Sequence, residues 1–458
     1  MEDMKNGKRS SFSGKLGYVL AAAGASVGLG NIWRFPYLAA KYGGGIFLII
    51  YIVLALTFGY TMIVAETAIG RMTRKSPVGA FKSFGKKKWL SFGGWINAVI
   101  PVLIVPYYSV IGGWVIKYLV EYFRGNAKLL AEDGYFTNFI SNGVSTELCF
   151  VAFCAFTLII IFAGVQNGIE RVSKIMMPIL IVLSVIIAVY SVTRPGALAG
   201  VKYFLVPNVK NFSWMTVVSA MGQMFYSLSI AMGILITFGS YMKKDTAIED
   251  STRNVEVFDT GIAIMAGLMI IPAVFAFSGG DPDTLQAGPS LMFITIPKVF
   301  QNMGFGTVIG IVFFLLVLFA AVTSSIALTE SAVSTFEDEL GWGRKKATVL
   351  VGVIMLVLGS LSSLGYGPLA GIKIIGMQFL DLFDFLTNSV MMPIAALLTS
   401  LLVSRVVGID KIEEEIIHGE SAFRRKKVFV VMIKYLCPVF AIIILLSSVA
   451  NALGWIKM

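Results

Sequence analysis

The sequence predicts an all-α membrane protein of about eleven transmembrane helices. Three observations lead there: a strongly apolar composition, eleven runs long enough to cross a bilayer, and basic residues gathered on one side of the resulting topology. Of the 458 residues, 57% are hydrophobic and 14% charged, with a mean hydropathy of +0.83. A soluble domain carries about 25% charged residues because its surface faces water. Here most of the surface must face something else.

A span needs about 20 mostly apolar residues, each rising about 1.5 Å. Runs meeting this requirement fall at 14–38, 44–70, 90–123, 147–165, 168–192, 213–242, 255–279, 306–337, 346–366, 372–403 and 428–454. The first is not read as a signal peptide, since it has internal polar and glycine residues and no small-residue cleavage pattern. Residues 1–13 precede it as a polar tail. The first five spans (14–192) and the next five (213–403) read as two halves of a possible five-plus-five repeat, with the eleventh (428–454) appended.

The net charge of +11 raises the question of nucleic acid. When alternate loops are assigned to opposite sides, however, Lys and Arg on one side outnumber those on the other by more than two to one, with rich clusters at Arg71–Lys88 and Arg405–Lys427. This is the positive-inside bias, and it expects a multi-pass protein of the cell membrane with a cytoplasmic N-terminus and an external C-terminus. Nucleic-acid binding is excluded as a reading of the charge. Cys149, Cys154 and Cys437 all fall within spans and read as buried thiols, without a disulfide or metal site. The single histidine, His418, lies in a loop beside Glu413, Glu414 and Glu415 and reads as solvated.

The exceptions to membrane rules carry the functional information. The first span contains Gly24-Ala25-Ser26-Val27-Gly28-Leu29-Gly30-Asn31, followed by Trp33-Arg34-Phe35-Pro36. Close packing of a G-x-x-x-G pair accounts for Gly24 and Gly28. It leaves Gly30, Asn31 and Arg34 unexplained, whereas a broken helix explains them all. The sixth span carries Gly222-Gln223 and then Tyr226-Ser227-Leu228-Ser229-Ile230-Ala231-Met232-Gly233. A plain kink would account for its serines, but the break stands at the matching place in the second half, and such paired interruptions point to a binding site. An unwound segment frees carbonyls for a cation, and the half-helix that follows aims its N–H groups at an anion. A zwitterionic amino acid suits that pair, with sodium beside its carboxylate.

Acids within spans are the second exception: Glu66, Asp259, Glu330, Asp381 and Asp384 each require a partner. Asp259 begins a long apolar run, so a helix-start carboxylate at the inner interface is its plain reading. Asp384 is expected to pair with Arg34 near the outside, and Arg9 with Asp338 near the cytoplasmic face. In the eighth span, Thr323-Ser324-Ser325 taken alone reads as packing or back-bonded hydroxyls.

Together these residues resemble the neurotransmitter:sodium symporters. Gly28-Leu29-Gly30-Asn31-Ile32-Trp33-Arg34-Phe35-Pro36 with Gly43-Gly44-Gly45 is similar to that family's first-helix signature. Pro106-Tyr107-Tyr108, Gly222-Gln223 with Ser227 and Ser229, and Thr323-Ser324-Ser325 leading to Glu337-Asp338-Glu339 extend the match over essentially the whole chain. The resemblance implies a leucine-transporter fold, a 5+5 inverted repeat whose helices 1 and 6 are broken.

It further implies two sodium sites. One would use Ser26, Asn31, Ser227 and Asp259 with the substrate carboxylate. The other would use carbonyls of Gly24, Val27 and Ala320 with the hydroxyls of Thr323 and Ser324. The substrate carboxylate would meet the Leu29 and Gly30 amides and Tyr108, and its ammonium the region of Ser26, Tyr226, Ser227 and Ser229. Its side chain would face Ile104, Tyr226, Met232, Ser324 and Leu328. Arg34 with Asp384 would form an outer gate, with Tyr108 and Tyr226 as a lid beneath it. Arg9 with Asp338 would form an inner gate near Phe12, Ser240, Tyr241 and Glu330, and Gly168 with Pro178 matches a motif that lets the fifth helix unwind.

Asp259 stands where animal members carry asparagine, and Ala263 where chloride-dependent members carry serine. A fixed carboxylate beside sodium supplies the charge chloride would, so transport is expected to be chloride-independent. The expected function is sodium-coupled import of a neutral hydrophobic or aromatic L-amino acid, by a monomer or weak dimer with no organic cofactor. A substrate-gated channel or a non-transporting sensor of the same fold is the alternative. A channel needs a continuous polar path, and these polar residues cluster at one depth. An enzyme lacks parts: there is no metal-ligand cluster and no nucleophile–base pair.

Overall fold

Inside a bilayer every backbone N–H and C=O must be satisfied by protein, and this chain does so with helices almost throughout. The structure, a computed structural model, describes residues 10–279 and 288–452. Its principal helices are α1 (Lys15–Ser26), α2 (Gly30–Lys41), α3 (Gly45–Thr73), α4 (Lys88–Phe123), α5 (Gly143–Phe162), α6 (Val165–Val192), α7 (Trp214–Ser227) and α8 (Ile234–Tyr241). There follow α9 (Ile248–Ser278), α10 (Leu291–Gln301), α11 (Gly306–Leu340), α12 (Arg344–Leu364), α13 (Phe379–Val407), α14 (Ile409–Ile417) and α15 (Lys426–Asn451).

Among the described residues nine of these are long and apolar enough to cross a membrane, and α1 with α2 forms a tenth span bent by 54°. The sixth expected span is also present but divided: α7 stops at Ser227 and α8 starts at Ile234. Two helix starts differ from expectation by about two turns, for visible reasons. Helix α9 starts at Ile248 rather than 255, because Glu249 and Asp250 lie in its first turn and favour the positive end of the helix dipole. Helix α13 starts at Phe379 rather than 372, because residues 374–377 close a tight turn with Ile374 and Met377 exchanging backbone hydrogen bonds.

Helices α4 and α11 form the centre, with 78% and 72% of their most apolar stretches buried, against 33% for α6 and α15. The periphery presents Leu148 and Ile159 (α5), Val182 (α6), Val357 (α12) and Leu446 (α15) outward. A continuous apolar exterior of this kind is the surface that lipid covers.

The two breaks have distinct local causes. After α1 the backbone turns extended at Val27 (φ −73°, ψ 92°) before Leu29 re-enters helical geometry. Glycine is required here by close approach: a Cβ on Gly28 would fall 2.7 Å from Ser324 Oγ, and one on Gly30 2.3 Å from the Tyr226 ring. Between α7 and α8, Ser229 (φ 51°) and Ala231 (φ 58°) hold left-handed conformations that cost L-residues energy. The segment is tied down rather than free. Ser229 Oγ donates to the Ala25 carbonyl (2.9 Å), and the Ala231 amide donates to Oε1 of Glu66 on α3 (2.7 Å).

At the end bearing the basic loops, the segment around α14 is seated on three helices. Arg71, wholly buried on α3, donates to Glu415 Oε1 (2.7 Å) and to the carbonyls of Thr246 and Glu415. Glu420 accepts from the amides of Glu249 (2.6 Å) and Asp250 (3.2 Å) at the start of α9. In return, Glu249 accepts from the amides of Arg424 (2.8 Å) and Arg425 (2.9 Å) just before α15. Each helix start is capped by a carboxylate from the other's segment.

The Glu66–Ala231 bond yields a stability test. Glu66→Leu strands a buried amide in the second break and is expected to cost about 1–3 kcal/mol, whereas Glu66→Gln keeps an acceptor and costs less. Thermal unfolding of purified protein in detergent measures the difference; equal losses in the two variants would remove the amide bond as the cause.

Candidate functional site

The two breaks face one another across the middle of the bundle. Gln223 Nε2 on α7 donates to the Gly30 carbonyl (3.0 Å), and the Ser229 bond joins the second break to the first. Two oxygen-rich clusters lie on either side of them.

The first cluster gathers around Asp259 on α9, which is fully buried. Its carboxylate accepts from Asn31 Nδ2 (2.7 Å), from Ser227 Oγ (2.9 Å and 3.0 Å to its two oxygens) and from the Tyr51 hydroxyl (3.0 Å). Asn31 Nδ2 also reaches Ser227 Oγ (2.9 Å), so the three expected side chains form one connected group. Asp259 lies three turns inside α9, so it is not the helix-start carboxylate of its plain reading.

The second cluster joins α1 to α11. Ser324 Oγ lies within reach of the carbonyls of Gly24 (3.3 Å), Ala25 (3.1 Å) and Val27 (3.4 Å). On the adjacent residue, Thr323 Oγ1 donates to the carbonyls of Phe319 (3.0 Å) and Ala320 (3.2 Å). All five residues expected there, namely Gly24, Val27, Ala320, Thr323 and Ser324, therefore adjoin. Each contributes the hard oxygen that an alkali or alkaline-earth cation prefers.

Between the clusters is a cavity of about 20 Å³, the space of a single water. Ser26, Leu29, Gly30, Ile104, Tyr108, Tyr226, Ser229, Met232, Ser324 and Leu328 line it, together with Ala25, Gly28 and Asn31. Ser227 was expected on this wall as well, but its hydroxyl is turned to Asp259 and it does not line the cavity. The Leu29 amide donates to the Tyr108 hydroxyl (3.3 Å), which places a backbone donor and a phenol at one spot. Apolar groups of Ile104, Met232 and Leu328 form the opposite wall.

Above Tyr226 opens a second cavity of about 560 Å³, walled by Arg34, Tyr107, Tyr366, Asp381 and Asp384 among others. The expected Arg34–Asp384 ion pair is not made: no ion pair among the described residues joins them across this space. Arg34 instead lies over the Tyr226 ring, 5.3 Å from its centroid. Asp384 accepts from Tyr107 (3.2 Å) and Asn388 (2.5 Å).

At the opposite end, the Phe12 amide donates to the Tyr241 carbonyl (3.0 Å), and Phe12 packs edge-on against Tyr18, Phe238 and Tyr241. Tyr241 OH donates to Glu330 (2.7 Å), which also holds Arg344. Asp338 accepts from the Ser76 amide (2.6 Å). Arg9 lies outside the described residues.

Tyr51 was missed from sequence, and Gln223 had been noted without a task. Tyr51 stands in the apolar run Gly45–Leu54, where a lone tyrosine is as compatible with a lipid-interface anchor as with an interior donor.

Broken helices meeting at mid-bundle, with oxygen clusters beside them and an enclosed cavity between, are the architecture of a membrane transporter. The chain belongs to the sodium:neurotransmitter symporter family, whose profile matches residues 9–130 and 137–455. It is 34% identical over 450 residues to an uncharacterised sodium-dependent transporter, YhdH, of Bacillus subtilis, covering 97% of this chain and 99% of that one. The human sodium- and chloride-dependent GABA transporter 2 is 26% identical over 474 residues, covering 89% and 75% of the two chains. The crystal structure of MhsT in complex with L-phenylalanine aligns with a TM-score of 0.86 at 34% identity, covering 96% of this chain and 100% of that one. The leucine-transporter fold expected from sequence is thus the fold found, and the protein is a multi-pass, sodium-dependent symporter and not an enzyme.

The contact of Gly30 with Tyr226 makes a direct prediction. A methyl at Gly30 overpacks against the Tyr226 ring, typically at a cost of about 1–3 kcal/mol. Gly30→Ala is therefore expected to lower sodium-dependent uptake by roughly tenfold or more, for 1.4 kcal/mol per decade, while the protein remains monodisperse. Uptake equal to the parent's would mean that Tyr226 need not lie against Gly30 during transport.

Proposed function

We propose that the chain imports a neutral hydrophobic or aromatic L-amino acid with sodium, by alternating access and without chloride. The observation that carries this reading is the buried Asp259 cluster beside a cavity whose remaining wall is apolar. The first sodium would lie among the Ser26 carbonyl, Asn31, Ser227 and Asp259, the second among Gly24, Val27, Ala320, Thr323 and Ser324. To serve the first ion, the Asn31 amide turns its oxygen toward Asp259's partner space. The substrate carboxylate would meet the Leu29 and Gly30 amides and the Tyr108 hydroxyl, which already lie together, and complete the first sodium's shell. Its ammonium would take carbonyl oxygens near Ser26 and Tyr226, with the Ser229 hydroxyl beside them. The side chain would push Met232 aside toward Ile104 and Leu328, a task suited to methionine's adaptable shape. Among the described residues no charged side chain lines this wall, which favours a neutral solute.

The direction in which the donors point supports chloride independence. Tyr51 and Ser227, the hydroxyls available to an anion here, both donate to the Asp259 carboxylate. That fixed charge does what a bound chloride would do. MhsT, seen with L-phenylalanine, supports the amino-acid class. The basic end carrying Arg71–Lys88 and α14 would be cytoplasmic by the positive-inside rule, with the N-terminus inside and the C-terminus outside. The wide cavity walled by Arg34 and Asp384 would then be the external vestibule, and the Phe12–Tyr241–Glu330 group the closed inner side. The two repeats would span 14–192 and 213–403.

Proteoliposome uptake across the twenty common L-amino acids, in sodium and in potassium, tests the reading. Sodium-driven accumulation of leucine, phenylalanine, tyrosine, tryptophan or methionine is expected; no sodium-dependent uptake of any amino acid would overturn it. Replacing chloride by gluconate should leave the rate unchanged, and collapse of uptake would sink chloride independence. Asp259→Asn should raise the half-saturating sodium concentration at least about tenfold, some 1.4 kcal/mol, or render transport chloride-dependent. An unaltered sodium response would remove Asp259 from the ion site.

A further inference from the structure

The wall of the wide cavity holds an arrangement around Asp384 that binding of ion and substrate does not use. Asp384 on α13 is held from two sides through a single oxygen. Tyr107, buried on α4, donates to Asp384 Oδ1 at 3.2 Å, and Asn388, one turn beyond Asp384, donates to the same Oδ1 at 2.5 Å. Asn388 Nδ2 also reaches the Tyr107 hydroxyl (3.3 Å), and that hydroxyl lies 3.3 Å from Thr387 Oγ1. The result is a closed ring of donors on Oδ1, with no hydrogen bond to Oδ2 among the described residues. A carboxylate fixed by one oxygen keeps one rotamer and presents the other oxygen in one direction.

The local backbone serves the same end. Residues Phe385–Met391 widen into a π-helical turn, a form that recurs at functional sites. The widened turn lies immediately after Asp384 and carries Thr387 and Asn388. Across the cavity, the Arg34 guanidinium rests on Tyr226 and makes no ion pair with Asp384. Bringing the two together forms a charge-assisted contact whose strength depends on the carboxylate's orientation.

We propose that Tyr107 and Asn388 are positioning residues of the outer gate. They hold Asp384 by Oδ1 so that Oδ2 is presented to Arg34, and so set how readily the vestibule closes over bound substrate. This rests on the reading of Arg34 and Asp384 as the outer gate of a sodium-coupled amino-acid transporter. Neither residue touches substrate or ion in that reading; both act through Asp384.

The test follows closure directly. Cys149, Cys154 and Cys437 are replaced by alanine, and Ser448 on the vestibule wall is changed to cysteine. Its modification by a membrane-impermeant methanethiosulfonate is then timed with the full-length protein. The probe is a mixture of the twenty common L-amino acids, in sodium or in potassium. In the parent, sodium with amino acids is expected to slow labelling about threefold or more as the closed population rises. Tyr107→Phe, which removes only a hydroxyl, and Asn388→Ala, an independent case should the first not fold, are each expected to abolish most of that protection. In an Asp384→Asn background, adding Tyr107→Phe should have no further effect, because residues acting through one group are not additive.

Parent-like protection in both single variants overturns the proposal. So does a Tyr107→Phe effect of equal size with and without Asp384→Asn, which a merely structural role would give. If the parent itself shows no sodium-dependent protection, the transport reading fails, and the proposal falls with it.

Discussion

A helix interrupted inside a membrane leaves backbone donors and acceptors that water does not reach, and each must find a partner in the protein. Much of this molecule's interior is arranged to answer that demand. Ser324 on α11 serves the carbonyls at the end of α1, Gln223 on α7 takes the Gly30 carbonyl, Ser229 takes Ala25, and Glu66 on α3 accepts the Ala231 amide. Helices from both halves of the chain are thus drawn to one point by polar bonds rather than by apolar contact alone. Side-chain hydroxyls and a phenol hold several of these positions, and such partners are readily exchanged for a cation or a carboxylate. The site is therefore the place where the backbone's obligations are met by replaceable groups.

The two oxygen clusters differ in electrostatic character. Among the described residues the group at α1 and α11 has only carbonyl and hydroxyl dipoles, so a cation there would be neutralised by no fixed charge. The group around Asp259 holds a full carboxylate at zero exposure, supported by Asn31, Ser227 and Tyr51. Burying a charge costs several kcal/mol unless it is paired and hydrogen-bonded. The three donors answer part of that cost, and a cation beside Asp259 would answer the rest. With a built-in anion of this kind, an ion beside Asp259 would depend on the protein's own charge, and one at the other cluster on its geometry.

Where polarity interrupted an apolar pattern, function was legible in the sequence. Gly28, Gly30 and Asn31 at mid-span announced the first break, and Ser227 and Ser229 the second; both breaks lie where they were read. Asp259 could be found from sequence, but its depth could not. The apolar run begins beside it, whereas the helix begins at Ile248 with acids that stabilise its first turn. Tyr51 escaped notice because a phenol in an aliphatic run signals nothing about which face it occupies. The separation of Arg34 from Asp384 was equally hidden, since composition identifies two opposite charges but not the ring of Tyr107 and Asn388 that holds one of them.

The exchange of caps between α9 and the segment preceding α15 has a consequence for biogenesis. Helix α9 emerges during synthesis with the amides of Glu249 and Asp250 awaiting an acceptor that lies 170–171 residues further along the chain. Arg71 waits longer still, its partner Glu415 following 344 residues later. Insertion of the spans can proceed in order, but the basic end is not locked until the last loop has been made. A nascent chain halted before residue 415 would thus carry a buried-type arginine and an uncapped helix to the membrane surface, which gives quality-control machinery a mark of incompleteness to recognise.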